Sequence, residues 1–502
     1  MTQPQPLSPP SLQHPARWLA LFGPGAIVAS LTIGAGELVF SSRGGALFGY
    51  RLLGLFLLTC VLKWSLVFAT ARHFVLSGAH PFQRWCDCPG PRGWLPMVFL
   101  LLGIVAFPIW VGFHAGTVGT LLASLTDSGT SVRGAAHFIW GIAVLILLMP
   151  LVLTGGYRRL ERIQLAIVAL MLLAVLVSVF WLQPDIARFL SEALTPLALA
   201  YPDWADSVPG LETPPLWVEL ATYVSVVGGS GYDYLAYVAF LRDKQWGAAG
   251  GEPLDGESLA NVARTPAHPY RRWVIAPLVD ATLSFLIVLV FSAVFLTCGA
   301  EILRPQQSVP GGSDLLTLQA EFVATGASWL RPLYFAGALL AMLGTLYGTI
   351  EVAPTIAHEL QLSLSLGHWQ PRRLHRFISL YVMMGAIAVL IISLVAYLQS
   401  GAKTPPGLIA ILAPAGLFTG VLACGIISLL AVWSDYRHLP APLRMPIWLQ
   451  AVNVAGGILF LLLGLKAYWD HNGWTALLIL SGTVMVGMVV CSMRGRRERS
   501  AS

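Results

Sequence analysis

Thr32-Ile33-Gly34-Ala35-Gly36-Glu37-Leu38 puts a carboxylate in the middle of the first long apolar run of the chain, from about Trp18 to Tyr50. An ionisable side chain at membrane depth is expensive unless it meets a partner or a wet cavity. The flanking glycines weaken the helix at that point. A carboxylate at a helix break near mid-membrane has the chemistry of a cation site. The run is also too long for one straight crossing. Gly23 to Tyr50 is 28 residues, about 42 Å as helix against a hydrocarbon core of about 30 Å. We therefore predict a break at Gly34-Ala35-Gly36.

Five spans further on, Val226-Val227-Gly228-Gly229-Ser230-Gly231-Tyr232-Asp233-Tyr234 forms a second glycine break beside a second carboxylate. A unit of five crossings is odd, so its copy must be inverted in the membrane. Two broken helices at matching positions of inverted halves are the best sequence pointer to a transporter site.

The rest of the chain suits that reading. Its 502 residues are 56% hydrophobic and only 11% charged, a composition of polytopic membrane proteins. We place twelve spans at 19–48, 51–71, 95–118, 135–153, 163–182, 217–241, 273–297, 329–351, 377–398, 408–432, 447–467 and 475–492. With the N-terminus inside, Arg and Lys concentrate in the inner loops, for example Arg158, Arg159 and Arg162, and Arg372, Arg373 and Arg376. The positive-inside rule then holds throughout, and both termini are expected in the cytoplasm, with the protein integral to the plasma (inner) membrane.

The predicted organisation is a disordered cytoplasmic tail (1–18), a first five-helix repeat (19–182), its inverted copy (217–432), two additional helices (447–492) and a basic cytoplasmic tail (493–502). The Pro-rich start lacks the basic region of a cleaved signal. The inner loop 242–272 reads as flexible. The outer loops 183–216 and 298–328 read as holding short surface helices. The net charge of +6 reflects topology, and no nucleic-acid partner is implied. Oligomeric state is not legible.

Cys60, Cys298, Cys424 and Cys491 fall in apolar runs and read as packing residues. Cys86 and Cys88 share a loop with no second pair to complete a zinc site. No P-loop and no His-Glu-x-x-His is present, so neither ATP-driven transport nor a zinc protease is expected. No cofactor is implied.

Glu37 and Asp233 are the candidate metal ligands, with backbone carbonyls near Gly34 and Val226 completing an oxygen-rich shell. Gly36, Gly228, Gly229 and Gly231 permit the breaks. Ser230, Tyr232, Thr345 and Tyr347 are candidates for the substrate path. Such carboxylates also serve as structural partners, and Arg43 is the natural one for Glu37. His114, Asp280 and Glu351 are candidates for a proton relay, although for each a structural role is the simpler reading. Asp280 follows Pro277 and suits a cap. Lys63, Arg72 and His358 are expected to snorkel or to sit near an interface.

Gly23-Pro24-Gly25, Phe48-Gly49-Tyr50-Arg51-Leu52-Leu53 and the small, hydroxyl-rich stretch from Thr345 to Leu360 resemble the Nramp family of divalent-metal transporters. The resemblance implies an all-α fold of about twelve helices. These form an inverted 5+5 repeat of the LeuT type plus two extra helices, with helices 1 and 6 broken. The family's Asp-Pro-Gly-Asn is replaced by Gly34-Ala35-Gly36-Glu37, and its Met-Pro-His by Gly229-Ser230-Gly231. A site rebuilt on Glu37 and Asp233 is expected to favour hard cations such as Mn²⁺ or Mg²⁺.

The expected function is secondary active transport of a divalent cation by alternating access, with H⁺ or Na⁺ coupling open. The alternative is a Na⁺- or H⁺-coupled symporter of a small organic solute such as an amino acid. An intramembrane aspartyl protease using Asp233 and Asp280 lacks the required Gly-x-Gly-Asp. A non-transporting sensor remains a further class.

Overall fold

The architecture comes from a computed structural model, which describes residues 18, 21–154, 157–182, 187, 189, 191–192, 199–208, 211, 213–309, 330–367, 369–402, 405 and 407–501. The predicted N-terminal tail and much of the loops 183–216 and 298–328 lie outside the described residues.

Helix α1 begins at Pro24, whose fixed φ and missing N–H suit a first helical position. It runs as α-helix over Pro24–Thr32, widens to a π-helix over Ile33–Ser41 and narrows again over Ser42–Phe48. The predicted break thus takes the form of a wide turn in a continuous helix. After it come α2 (Leu52–Ser77), α3 (Trp94–Leu125), α4 (Ala136–Leu153) and α5 (Tyr157–Leu182). Helix α6 is in two pieces, Leu216–Val226 and Gly231–Asp243. Helix α7 (Ile275–Cys298) continues into a π-helical turn, Gly299–Leu303. Then follow α8 (Leu330–Leu364) and α9 (Pro371–Ser400). Helix α10 runs through Leu408–Gly416, a π-helical Leu417–Leu422 and Ala423–His438. The last two are α11 (Ile447–Asn472) and α12 (Trp474–Ala501).

Among the described residues, nine helices are long and apolar enough to cross a membrane. That count takes α1 and α2 together as Glu37–Ser77 and leaves out α5 and the two short halves of α6, which complete the twelve. Side chains such as Leu147 on α4, Ile392 on α9, Leu462 on α11 and Leu478 on α12 are exposed. An apolar exterior of this kind fits a lipid solvent, in which backbone polar groups must be satisfied internally.

Helices α1 and α6 occupy the centre. The first α1 segment packs against α5, α7, α8 and the second half of α6, and the π segment against α7, α8 and the first half of α6. Helix α11 packs on α10 and on the first half of α6, and α12 on α3. Asp280 on α7 fastens the start of α1. Its two carboxylate oxygens accept the N–H groups of Gly23 (2.9 Å) and Gly25 (2.8 Å), which no intrahelical carbonyl can reach. The capping expectation for Asp280 is thereby met from a different helix than its own.

One expectation needs correction. The loop 242–272 is structured, not flexible. It folds into short helices at Gly256–Arg264 and Pro269–Trp273, buries Leu259 and Val262, and donates Leu254 N–H to Ser77 O at 2.9 Å. The basic C-terminal segment continues α12 as helix.

Candidate functional site

The site is built around the gap in α6. Val227 closes the last turn of the first half by donating to Tyr223 O (2.9 Å), then turns extended, with ψ 123°. Gly228 and Gly229 follow with φ +80° and +101°, a region that disfavours any Cβ. Ser230 starts the second half, and its N–H donates to Asp233 Oδ2 at 2.7 Å. Asp233 stands three residues on, where an acidic side chain reaches back to satisfy an orphan N–H.

Such a gap strands carbonyls, and each has a partner. Val226 O accepts from Gly229 N–H (3.2 Å). Tyr234 Oη donates to Gly228 O (2.8 Å) and to Gly229 O (3.0 Å). The others converge on Lys63 of α2. Its Nζ donates to Val224 O (2.6 Å), Val227 O (2.8 Å) and Gly229 O (2.7 Å). Lys63 is 0% exposed, which corrects the expectation that it snorkels. Three short bonds to three acceptors require three N–H groups, so the group in place is an ammonium, not an amine.

Glu37 lies on the other side of this cage, also 0% exposed. Its Oε1 accepts the N–H of Gly228 at 3.2 Å, and its Oε2 accepts from Ser41 Oγ (2.8 Å) and from Ser292 Oγ of α7. Arg43, the partner anticipated for Glu37, instead pairs with Glu219 of α6, Nε to Oε1 at 2.7 Å. Tyr223 Oη adds a donor to the same oxygen (2.6 Å). Lys63 stands within electrostatic reach of both Glu37 and Asp233.

Asp233 borders a cavity that Glu37 does not. The space is about 30 Å³ and is lined by Thr32, Trp110, His114, Ser225, Val226, Ser230, Asp233 and Thr349, among others. That volume suits one or two waters, or an ion with little of its hydration shell. His114 Nδ1 is buried there without a hydrogen-bond partner among the described residues. A larger hollow of about 120 Å³ lies at the far end of α1, where Arg51 and Arg304 outnumber the one carboxylate, Glu192, and do not suit a cation.

Of the other predicted site residues, Val226, Gly229, Ser230 and Tyr232 join Asp233 and His114 at the cavity. Tyr232 Oη is already engaged, donating to Phe99 O at 2.6 Å. Gly231 and Gly228 frame the gap, and Gly36 lies within the π segment of α1. Gly34 meets α8 directly: its N–H donates to Thr345 Oγ1 (3.1 Å), and that hydroxyl donates to Ser30 O (2.8 Å). Among the described residues Tyr347 Oη is buried with no partner, as is Glu351 Oε1, while Glu351 Oε2 meets His375 Nε2 at 2.8 Å. Asp280 is held at the start of α1. The proposed relay residues are thus spread over separate neighbourhoods.

Arg72 does not snorkel either. It is buried and donates to Asp435 Oδ2 at 2.9 Å. His358 is half-buried. The six cysteines are free and buried. Among the described residues no three His, Cys, Asp or Glu side chains cluster as a ready metal cage. A cation at the cavity would draw on hydroxyls and carbonyls beside one carboxylate.

Lys63 and Ser292 are among the contributors that sequence reasoning missed, with Ser41, Tyr234, Trp110, Ser225 and Thr349. For Lys63 a signal existed. It is the twelfth residue of α2, about 17 Å from the helix start and so near mid-membrane, too deep for easy snorkelling. Ser292 carried none, being one of four hydroxyl residues in α7, with Thr282, Ser284 and Thr297.

The arrangement defines a class: a polytopic helical membrane protein whose sixth helix is unwound beside a small cavity of mixed polar and apolar lining. Residues 25–470 match the family described as natural resistance-associated macrophage protein-like, Nramp, and the chain belongs to that family. A divalent metal cation transporter MntH of Xanthomonas campestris is 24% identical over 470 residues, covering 90% of this chain and 91% of its own. Another, from Latilactobacillus sakei, is 24% identical over 347 residues, covering 66% of this chain and 67% of its own. A manganese transporter of Eremococcus coleocola superposes with a TM-score of 0.68 at 14% identity, covering 97% of both chains. That likeness shows the fold, the LeuT-type arrangement of two inverted five-helix repeats.

Proposed function

We propose that this protein moves a divalent metal cation across the plasma membrane as a secondary transporter, by alternating access around the α6 gap, with both termini cytoplasmic. The observation that carries this reading is Asp233 at the mouth of the gap, bordering a cavity where Thr32, Ser225, Ser230 and Thr349 stand among apolar side chains such as Leu31 and Phe107. Curated relatives named as divalent metal cation transporters give the same direction. The donors are mostly hard oxygen, which suits Mn²⁺ or Mg²⁺, and His114 adds one imidazole that Mn²⁺ accepts more readily than Mg²⁺ does. In this conformation Glu37 sits behind the gap with three donors of its own. We therefore assign Asp233 as the cation-facing carboxylate and Glu37 as charge support behind it. The arginine-rich loops on the side of the termini support the orientation. Symport of an amino acid is less well supported, because the cavity has no room for one.

The test is uptake of Mn²⁺ and Mg²⁺ into proteoliposomes. Asp233→Asn should reduce uptake at least about tenfold, since a charged ligand contributes more than the ~1.4 kcal/mol that tenfold represents. Uptake that persists in Glu37→Ala together with Asp233→Ala would rule the assignment out.

A further inference from the structure

We propose that the Lys63 ammonium is a built-in substitute for a bound monovalent cation, so that the α6 gap needs no soluble ion to hold it open. The proposal rests on the geometry of the gap alone and stands whatever the cargo. Carbonyls of Val224, Val227 and Gly229 point at one position, together with a longer approach from Ser225 O (3.5 Å). Four backbone oxygens around one centre, near two carboxylates, describe the donor set of an alkali-cation site. Here the centre is filled by a side chain from α2. Its stem crosses from a neighbouring helix, and all three of its N–H groups are engaged. Glu37 and Asp233 flank it, so one fixed positive charge is set against two carboxylates. The thiols of Cys60 and Cys424 are the remaining titratable groups close by, and Tyr234 Oη faces the gap from the second half of α6. None of these is positively charged.

A tethered cation cannot dissociate, so the site is always occupied at unit effective stoichiometry. The gap keeps its shape in both the loaded and the empty carrier. A soluble ion at this position would instead bind and leave with each cycle, and its gradient would drive transport. The class of coupling this excludes is therefore a Na⁺ or K⁺ gradient acting at the α6 carbonyls.

The experiment uses the full-length protein in detergent and measures melting temperature at constant ionic strength in NaCl, KCl, ethylammonium chloride and choline chloride. Wild type should melt alike in all four. Lys63→Ala empties the cage and should melt about 5–10 °C lower in choline, with at least half of that loss recovered in NaCl or ethylammonium chloride as a small cation enters the vacancy. A Lys63→Ala protein that melts equally low in all four salts overturns the proposal. If Lys63→Ala does not fold, the wild type decides. A saturable rise in its melting temperature with Na⁺ or K⁺ over choline overturns the proposal, and indifference supports it.

Discussion

Helices α1 and α6 hold corresponding places in the two inverted repeats, and each carries a glycine-rich stretch beside a carboxylate. They resolve the same local weakness differently. In α1 the chain stays helical and widens through Ile33–Ser41, so few carbonyls are freed. In α6 the chain unwinds from Val227 to Ser230, and the freed groups recruit Lys63, Tyr234 and Glu37. The neighbours account for the difference. Gly34 is pressed against Thr345 and the Ala341 carbonyl of α8, which holds α1 straight. The α6 gap instead faces a lysine able to satisfy several carbonyls at once. Glycine content permits a break, and the surrounding donors decide whether one forms.

The largest effect should come from removing the donor that α6 depends on. Lys63→Met leaves three carbonyls and two carboxylates without their counter-charge and should destabilise the protein by about 3–5 kcal/mol. Chemical or thermal unfolding of the purified variant measures it. A loss below about 1 kcal/mol would mean that the gap does not rely on Lys63.

The glycines sharpen the contrast. Gly34→Ala should cost about 1–3 kcal/mol by overpacking against α8, and Gly229→Ala about 1–2 kcal/mol through its φ of +101°. Combining each with Thr345→Ala separates the causes. The Gly34 pair should be strongly non-additive, because the two residues touch, and the Gly229 pair should be additive. Equal coupling in both cycles would erase the distinction drawn above.

The smallest effect lies at the far side of the second half of α6. His80, in the loop after α2, is buried; its Nε2–H donates to Leu235 O (3.1 Å), and its Nδ1 accepts from Phe82 N–H (3.3 Å). Burial holds this imidazole below its ordinary range, against the opposing pull of Glu359. The unfolded chain therefore takes up the proton first. Stability should decline as pH falls below about 6.5, by no more than about 1.4 kcal/mol per pH unit. Melting curves between pH 7.5 and 5 test this, and His80→Asn should flatten that part of the profile.

Much of this molecule was legible without coordinates. The twelve apolar runs, the glycine-weakened points at Gly34-Ala35-Gly36 and Gly228-Gly229, and the acidic residue beside each follow from hydropathy and from glycine's freedom. Membrane solvation and backbone entropy act locally, so they leave local marks. The motifs around Gly23, Phe48 and Thr345 added the family. What remained hidden was the pairing. Arg43 could reach a carboxylate four to eight residues away on its own helix, yet it meets Glu219 from a helix far along the chain. Glu37 and Asp233 read as equivalents, yet only Asp233 borders the cavity.

By itself, then, the chain's pattern of apolar runs and glycines determined that it is a membrane-embedded inverted repeat with weak points at two central helices. Tertiary packing alone decided that one weak point would stay helical while the other opened around a lysine. The reason is reach: a long charged stem can extend to water or to any unpaired oxygen within its radius, and only the assembled neighbours determine which it finds.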